Sequence, residues 1–168
     1  MTARPVLVMG ICGTGKSTVA RGIAERIGGT FIEADLYHDP SSVARMQAGQ
    51  PLTDDMRWGW LDRLAAEVTA APTRAVLACS GLSRAHRDRL RVGAGPLEIV
   101  FLHGDRALIA ARMASRADHY MPPSLIDSQL AALQPPDPTA EDAQWVDVAL
   151  PPAQIIDRAV AALAAPLP

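Results

Sequence analysis

Val6-Leu7-Val8-Met9 leads directly into Gly10-Ile11-Cys12-Gly13-Thr14-Gly15-Lys16-Ser17, and the chain continues with helical spacing through Thr18-Val19-Ala20-Arg21-Gly22-Ile23-Ala24. The octet reads GxxxxGKS, and it lies between a buried-strand pattern and a helix, the context that a phosphate-binding loop requires. Its glycines let backbone N–H groups turn inward around phosphate oxygens, and the helix N-terminus adds positive potential. Gly10, Gly13, Thr14, Gly15, Lys16, Ser17 and Thr18 are therefore expected to bind a nucleotide. The Ser17 hydroxyl is expected to ligate Mg²⁺, which makes ATP and Mg²⁺ the expected cofactors.

Composition strengthens this reading. Lys16 is the only lysine in the chain, against fifteen arginines. A sequence that fills its other cationic positions with arginine keeps lysine where a compact ammonium on a flexible stem is needed and a wide planar fork will not fit. The slot between two phosphates is such a place, so Lys16 is also a candidate catalytic residue.

Outward from the loop, apolar runs near 30–33, 76–79, 97–102 and 146–150 read as further strands. Helical patterns lie over 16–27, 54–69, 83–91, 105–115, 122–133 and 151–164. Such alternation predicts an α/β fold of three layers, a five-stranded parallel sheet with helices on both faces and a small lid. The 168 residues suit one domain of this kind, 1–168, with the lid at about 112–124. The Pro/Asp-rich stretch 134–142 reads as a loop before the last strand.

A net charge of −2, with no basic stripe interleaved with aromatics, argues against nucleic acid and for a small-molecule partner. Two cysteines, Cys12 and Cys79, give neither a disulfide framework nor a zinc spacing. No stretch has the length or flanks of a signal peptide or membrane span, so a cytoplasmic protein without membrane contact is expected. A homodimer is compatible with the sequence.

In open parallel sheets, ligands sit beyond the carboxyl ends of the strands. After the second strand, Asp35 is the candidate carboxylate for holding a Mg²⁺-bound water or accepting the acceptor hydroxyl's proton, with Glu33 as a substitute. The alternative is that Asp35 only caps a turn. Thr53-Asp54-Asp55 has N-cap chemistry, which puts Arg57 at the rim of the next helix, either facing a cleft or paired with the adjacent acids in water. Arg112 and Arg116 lie four apart on one helical face before Pro122-Pro123. They read as lid cations that neutralise charge on the transferring phosphoryl group, with Arg116 catalytic and Arg112 on the nucleotide, or else as a solvated helix face. Arg84, His86 and Arg87 form either a cationic rim for an anionic substrate or a solvated helix face. His38 and His119 can bond substrate hydroxyls or be structural, and His103 reads as structural.

These stretches resemble the gluconate kinases, relatives of shikimate and adenylate kinases within the P-loop class. The resemblance rests on the phosphate loop, on Asp35 followed by Tyr37-His38, and on Arg45-Met46-Gln47-Ala48-Gly49-Gln50-Pro51-Leu52-Thr53-Asp54-Asp55-Met56-Arg57. It extends through Cys79-Ser80-Gly81-Leu82 with Arg84 and Arg87-Asp88, and through Arg112, Arg116, His119-Tyr120-Met121 and Ser128-Gln129. It implies transfer of the ATP γ-phosphoryl group to the 6-hydroxyl of D-gluconate with Mg²⁺ required. An acceptor with one carboxylate and many hydroxyls needs an arginine fork and short polar groups. The resemblance thus places Asp35, His38, Arg57, Ser80, Arg84, Arg87, His119 and Gln129 on the sugar acid, and Ser17 and, through water, Asp35 on the metal. Ala34 and Ser83 depart from the family pattern, both on the acceptor side. A kinase of another hydroxylated acid or drug, shikimate-kinase-like, and a nucleotide-binding regulatory protein without transfer activity are the alternative readings.

Overall fold

The structure, a computed structural model, describes residues 3–115 and 123–164. Its strands are β1 (Val6–Met9), β2 (Thr30–Glu33), β3 (Ala75–Ala78), β4 (Glu98–His103) and β5 (Ala143–Asp147). The helices are α1 (Lys16–Ile27), α2 (Pro40–Gln47), α3 (Asp54–Ala70), α4 (Arg84–Ala94), α5 (Arg106–Ala114), α6 (Pro123–Ala132) and α7 (Pro152–Ala164). The strands form one sheet in the order β2-β3-β1-β4-β5, and every pairing is parallel.

Strand period divides the core in two. Val6, Val8, Val76, Ala78, Val100 and Leu102 point to one face, where Val19 and Ile23 of α1, Ile109 and Met113 of α5, and Ile155 and Ala159 of α7 cover them. Leu7, Met9, Leu77, Ile99 and Phe101 point to the other, beneath Trp60, Leu61, Leu64 and Val68 of α3 and Leu90 of α4. β1 is fully buried because it is covered on both faces, which explains its unbroken apolar sequence. The three layers and the five parallel strands agree with the expectation from sequence.

Two local expectations differ. β5 begins at Ala143, not near 146, pairing Ile99 with Ala143 and Phe101 with Trp145. As an edge strand it carries Gln144 and a half-exposed Trp145, so its apolar run is interrupted and the sequence signal shifts towards Val146 and Val148. A 3₁₀ turn (Ala34–Tyr37) and helix α2 were also not anticipated. Asp39 caps α2 by accepting the Ser42 N–H at 2.7 Å with Pro40 in the first turn, but Ser42 is the helix's only buried residue, so no apolar period announces it. Among the described residues, no helix is long and apolar enough to cross a membrane.

Candidate active site

β1 lies between β3 and β4, so the loop leaving its carboxyl end opens at the centre of the sheet edge. Gly15, the residue before α1, has φ 87° and ψ 27°, a left-handed conformation that side-chain-bearing residues resist. A Cβ there would meet nothing within 4 Å, so the loop faces open space at this point. Lys16 Nζ and Thr14 Oγ1 both donate to the Ile11 carbonyl, at 3.0 and 2.8 Å, which folds the loop on itself and draws the ammonium inward. Burial lowers the Lys16 pKa, opposed by the electrostatic pull of nearby groups that include Asp35 and Glu33. Thr18 is exposed in the first turn of α1.

Ser17 Oγ donates to Glu33 Oε2. The sequence reading put Mg²⁺ on Ser17 and Asp35 with Glu33 in reserve; in the structure it is Glu33 that touches the serine. A hydroxyl beside a carboxylate offers the hard oxygen donors that Mg²⁺ prefers, and phosphate oxygens and water would complete an octahedron. Among the described residues no cluster of three or more His, Cys, Asp or Glu side chains forms a metal cage.

Asp35 sits on the exposed side of the turn after β2 and faces Lys16 and His38 electrostatically. Trp60 of α3 holds this turn: its Nε1 donates to the Ala34 carbonyl at 2.9 Å, and its ring stacks on His38 with centroids 4.3 Å apart and an interplanar angle of 16°. Burial lowers the His38 pKa despite the nearby Asp35, which favours the neutral imidazole. Trp60 is buried within the helix expected over 54–69, but its second task as clamp of the Asp35–His38 turn has no sequence signal.

Arg57 is half-buried, its guanidinium 3.7 Å from Asp54. Thr53 caps α3 as expected, accepting the Met56 N–H at 3.3 Å. Arg57 also lies near His86, whose pKa falls through burial and then through this cation, while the His86 ring meets Trp58 edge-on at 5.8 Å. Ser80, half-buried after β3, accepts the Gly10 N–H through its carbonyl at 3.4 Å. Cys79 beside it is a neutral thiol, pushed up to about 12 by burial.

In the structure Arg84 and Arg87, both expected on the sugar acid, are paired with acids of this chain. Arg87 is 1% exposed; its Nε and Nη2 donate to both oxygens of Glu141, each at 2.9 Å, and its Nη1 to the Gly81 carbonyl at 2.8 Å. Arg84 Nε donates to Asp88 at 3.1 Å and lies 3.6 Å from Glu141. A sequence shows a helix of arginines but not the buried acid, more than fifty residues onward, that gathers them. Gln129 of α6, expected on the sugar acid, instead accepts the Cys12 backbone N–H at 2.6 Å and so touches the phosphate loop. Arg112 is half-buried in the last turn of α5, and the neighbouring Met113 places its sulfur 3.6 Å from Cys12 Sγ. Arg116 and His119 lie outside the described residues.

The chain is similar to known proteins. A family model described as AAA domain matches residues 6–136. A gluconokinase of Gluconobacter oxydans is 45% identical over 137 residues, covering 79% of this chain and 76% of the relative. The thermosensitive gluconokinase of Escherichia coli is 32% identical over 151 residues, covering 88% and 81%. The crystal structure of a gluconokinase from Sinorhizobium meliloti superposes with a TM-score of 0.85 at 44% identity, covering 96% of this chain and 92% of that one. With its phosphate loop and these relatives, the chain belongs to the gluconokinase family of P-loop small-molecule kinases.

Proposed function

We propose that this protein transfers the γ-phosphoryl group of ATP to the 6-hydroxyl of D-gluconate, giving 6-phosphogluconate and ADP. The observation that carries the reading is the phosphate loop at the centre of the sheet edge, with Lys16 folded onto the Ile11 carbonyl and Ser17 bonded to Glu33 at the end of β2. Phosphoryl transfer depends mainly on positioning and on neutralising charge, so few groups are needed. Backbone N–H groups of the loop hold the phosphates, and Lys16 bridges their oxygens. Ser17 and Glu33, with Asp35 through water, would hold Mg²⁺, which would supply further neutralisation of the phosphate charge. Asp35 orients the acceptor hydroxyl and takes its proton as transfer proceeds.

Arg57 grips the acceptor carboxylate, with Ser80 and neutral His38 bonding hydroxyls. Arg112 and Arg116 act from a lid at about 112–124 of a single kinase domain, where closure excludes water that would otherwise hydrolyse ATP. The sugar acid and ATP are the proposed small-molecule partners, in the cytoplasm. A substrate panel tests the reading: ADP release coupled to an indicator reaction, with D-gluconate, other sugar acids and shikimate as acceptors. Gluconate is expected to give the largest kcat/KM, and a higher value for shikimate would reassign the acceptor.

A further inference from the structure

Glu141 lies in the loop between α6 and β5 and has no part in the transfer described above. Its side chain is 2% exposed, yet three arginines of α4 converge on it. Arg87 engages both oxygens, Arg91 Nη2 donates at 2.9 Å, and Arg84 stands at 3.6 Å. The Asp137 N–H closes the loop on the same carboxylate at 3.2 Å. Burial pushes the Glu141 carboxyl up, but hydrogen bonds from Arg87 and Arg91 outweigh it and hold the group at about 2.

Stability alone does not account for such a pair. Replacing a buried ion pair by apolar residues of similar volume is often neutral or stabilising, because desolvation consumes most of the Coulombic gain. An apolar pair cannot, however, hold carbonyls. With Nε and Nη2 fixed by Glu141, the rigid guanidinium plane aims Nη1 at the Gly81 carbonyl at 2.8 Å and the Leu82 carbonyl at 3.3 Å. Leu82 O also accepts the Gln134 N–H at 2.8 Å. The turn so held has Gly81 at φ 53° and carries Ser80, whose carbonyl takes the Gly10 N–H of the phosphate loop.

We propose that Glu141 is a positioning residue for the transfer reaction: through Arg87 it fixes the turn 80–82 and so sets the acceptor side of the cleft relative to the phosphate loop. The inference rests on the phosphoryl-transfer reading above. The chain of contact runs from a loop carboxylate to one guanidinium, from that guanidinium to two carbonyls, and from the turn to Gly10.

The test compares the full-length wild type with Arg87→Met/Glu141→Leu and with Glu141→Asp. It measures kcat and KM for gluconate, affinity for a fluorescent ATP analogue, and the thermal midpoint. The apolar pair is expected to keep the wild-type midpoint and nucleotide affinity while kcat/KM for gluconate falls about 100-fold, the scale of an ångström of misplacement. Wild-type kcat/KM in the apolar pair would overturn the proposal. If that variant does not fold, Glu141→Asp decides. It keeps the charge but withdraws the carboxylate by one methylene, and about a tenfold loss at an unchanged midpoint is expected. Undiminished kcat/KM there overturns the proposal equally. Wild-type protein that ignores gluconate would defeat the reaction assignment instead, so the two failures are distinguishable.

Discussion

Gln129 Oε1 accepts the backbone N–H of Cys12 at 2.6 Å, joining α6 to the phosphate loop across more than a hundred residues of chain. The loop amide is thereby satisfied by a neutral acceptor and not by water. Gln129→Ala is expected to cost about 1 kcal/mol of this link, roughly a fivefold loss in kcat/KM for ATP. Gln129→Glu keeps an acceptor but sets a negative charge beside bound phosphates, so the ATP KM rises further than in the alanine variant. Steady-state kinetics on the two variants check the order; an ATP KM lower in the glutamate variant would separate Gln129 from the nucleotide.

Lys16→Arg preserves charge but not shape. The Nζ reaches the Ile11 carbonyl at 3.0 Å, a contact that suits a compact ammonium on a flexible stem better than a wide planar fork. Transfer is expected to fall by about 100-fold or more, the usual loss of one charge-stabilising donor. An amine-directed reagent offers an independent check, since Lys16 is the only lysine. ATP with Mg²⁺ is expected to protect that one internal site.

Trp60→Phe removes the hydrogen bond to the Ala34 carbonyl while keeping a ring for the core. About 1 kcal/mol of stability is expected to go with it. Because Trp60 also stacks on His38, the Asp35–His38 turn loosens, and the effect on gluconate KM is expected to exceed that on ATP KM. Isothermal denaturation together with the two KM values tests this; equal changes in both would assign Trp60 to the core alone.

Acid stability follows from Glu141. Its carboxyl is held at about 2 in the folded protein against an ordinary value of 4.5, so the folded state binds the proton less tightly than the unfolded chain does. The contribution is therefore complete above about pH 4.5 and declines as pH falls towards 2. Urea midpoints across this window should drop more steeply for the wild type than for Arg87→Met/Glu141→Leu, which has no carboxylate to protonate there.

The parts of the molecule legible in the sequence are those whose partners are local. The loop from Gly10 to Ser17 carries its own geometry, and the apolar strands before Gly10 and before His103 state that they are buried on two faces. The position of Asp35 beyond the carboxyl end of β2 was legible because it follows that strand by two residues. Arg87 was not: its position on a polar helix suggested solvent or substrate, and only the distant Glu141 makes it a buried clamp. Trp60 and Gln129 show the same limit, since an indole N–H and an amide oxygen find their backbone partners through tertiary approach. Helix α2 covers little of the core and so has no apolar period, leaving only its Asp39 cap and Pro40 as marks in the sequence.

Transfer to gluconate is tested most directly by incubating the full-length protein with ATP, Mg²⁺ and D-gluconate and following the products by phosphorus NMR. One phosphomonoester resonance, with the coupling expected of a primary 6-phosphate, should grow in step with ADP and be absent when gluconate is omitted. ADP and inorganic phosphate forming at the same rate with and without gluconate, with no phosphomonoester, would contradict the assignment.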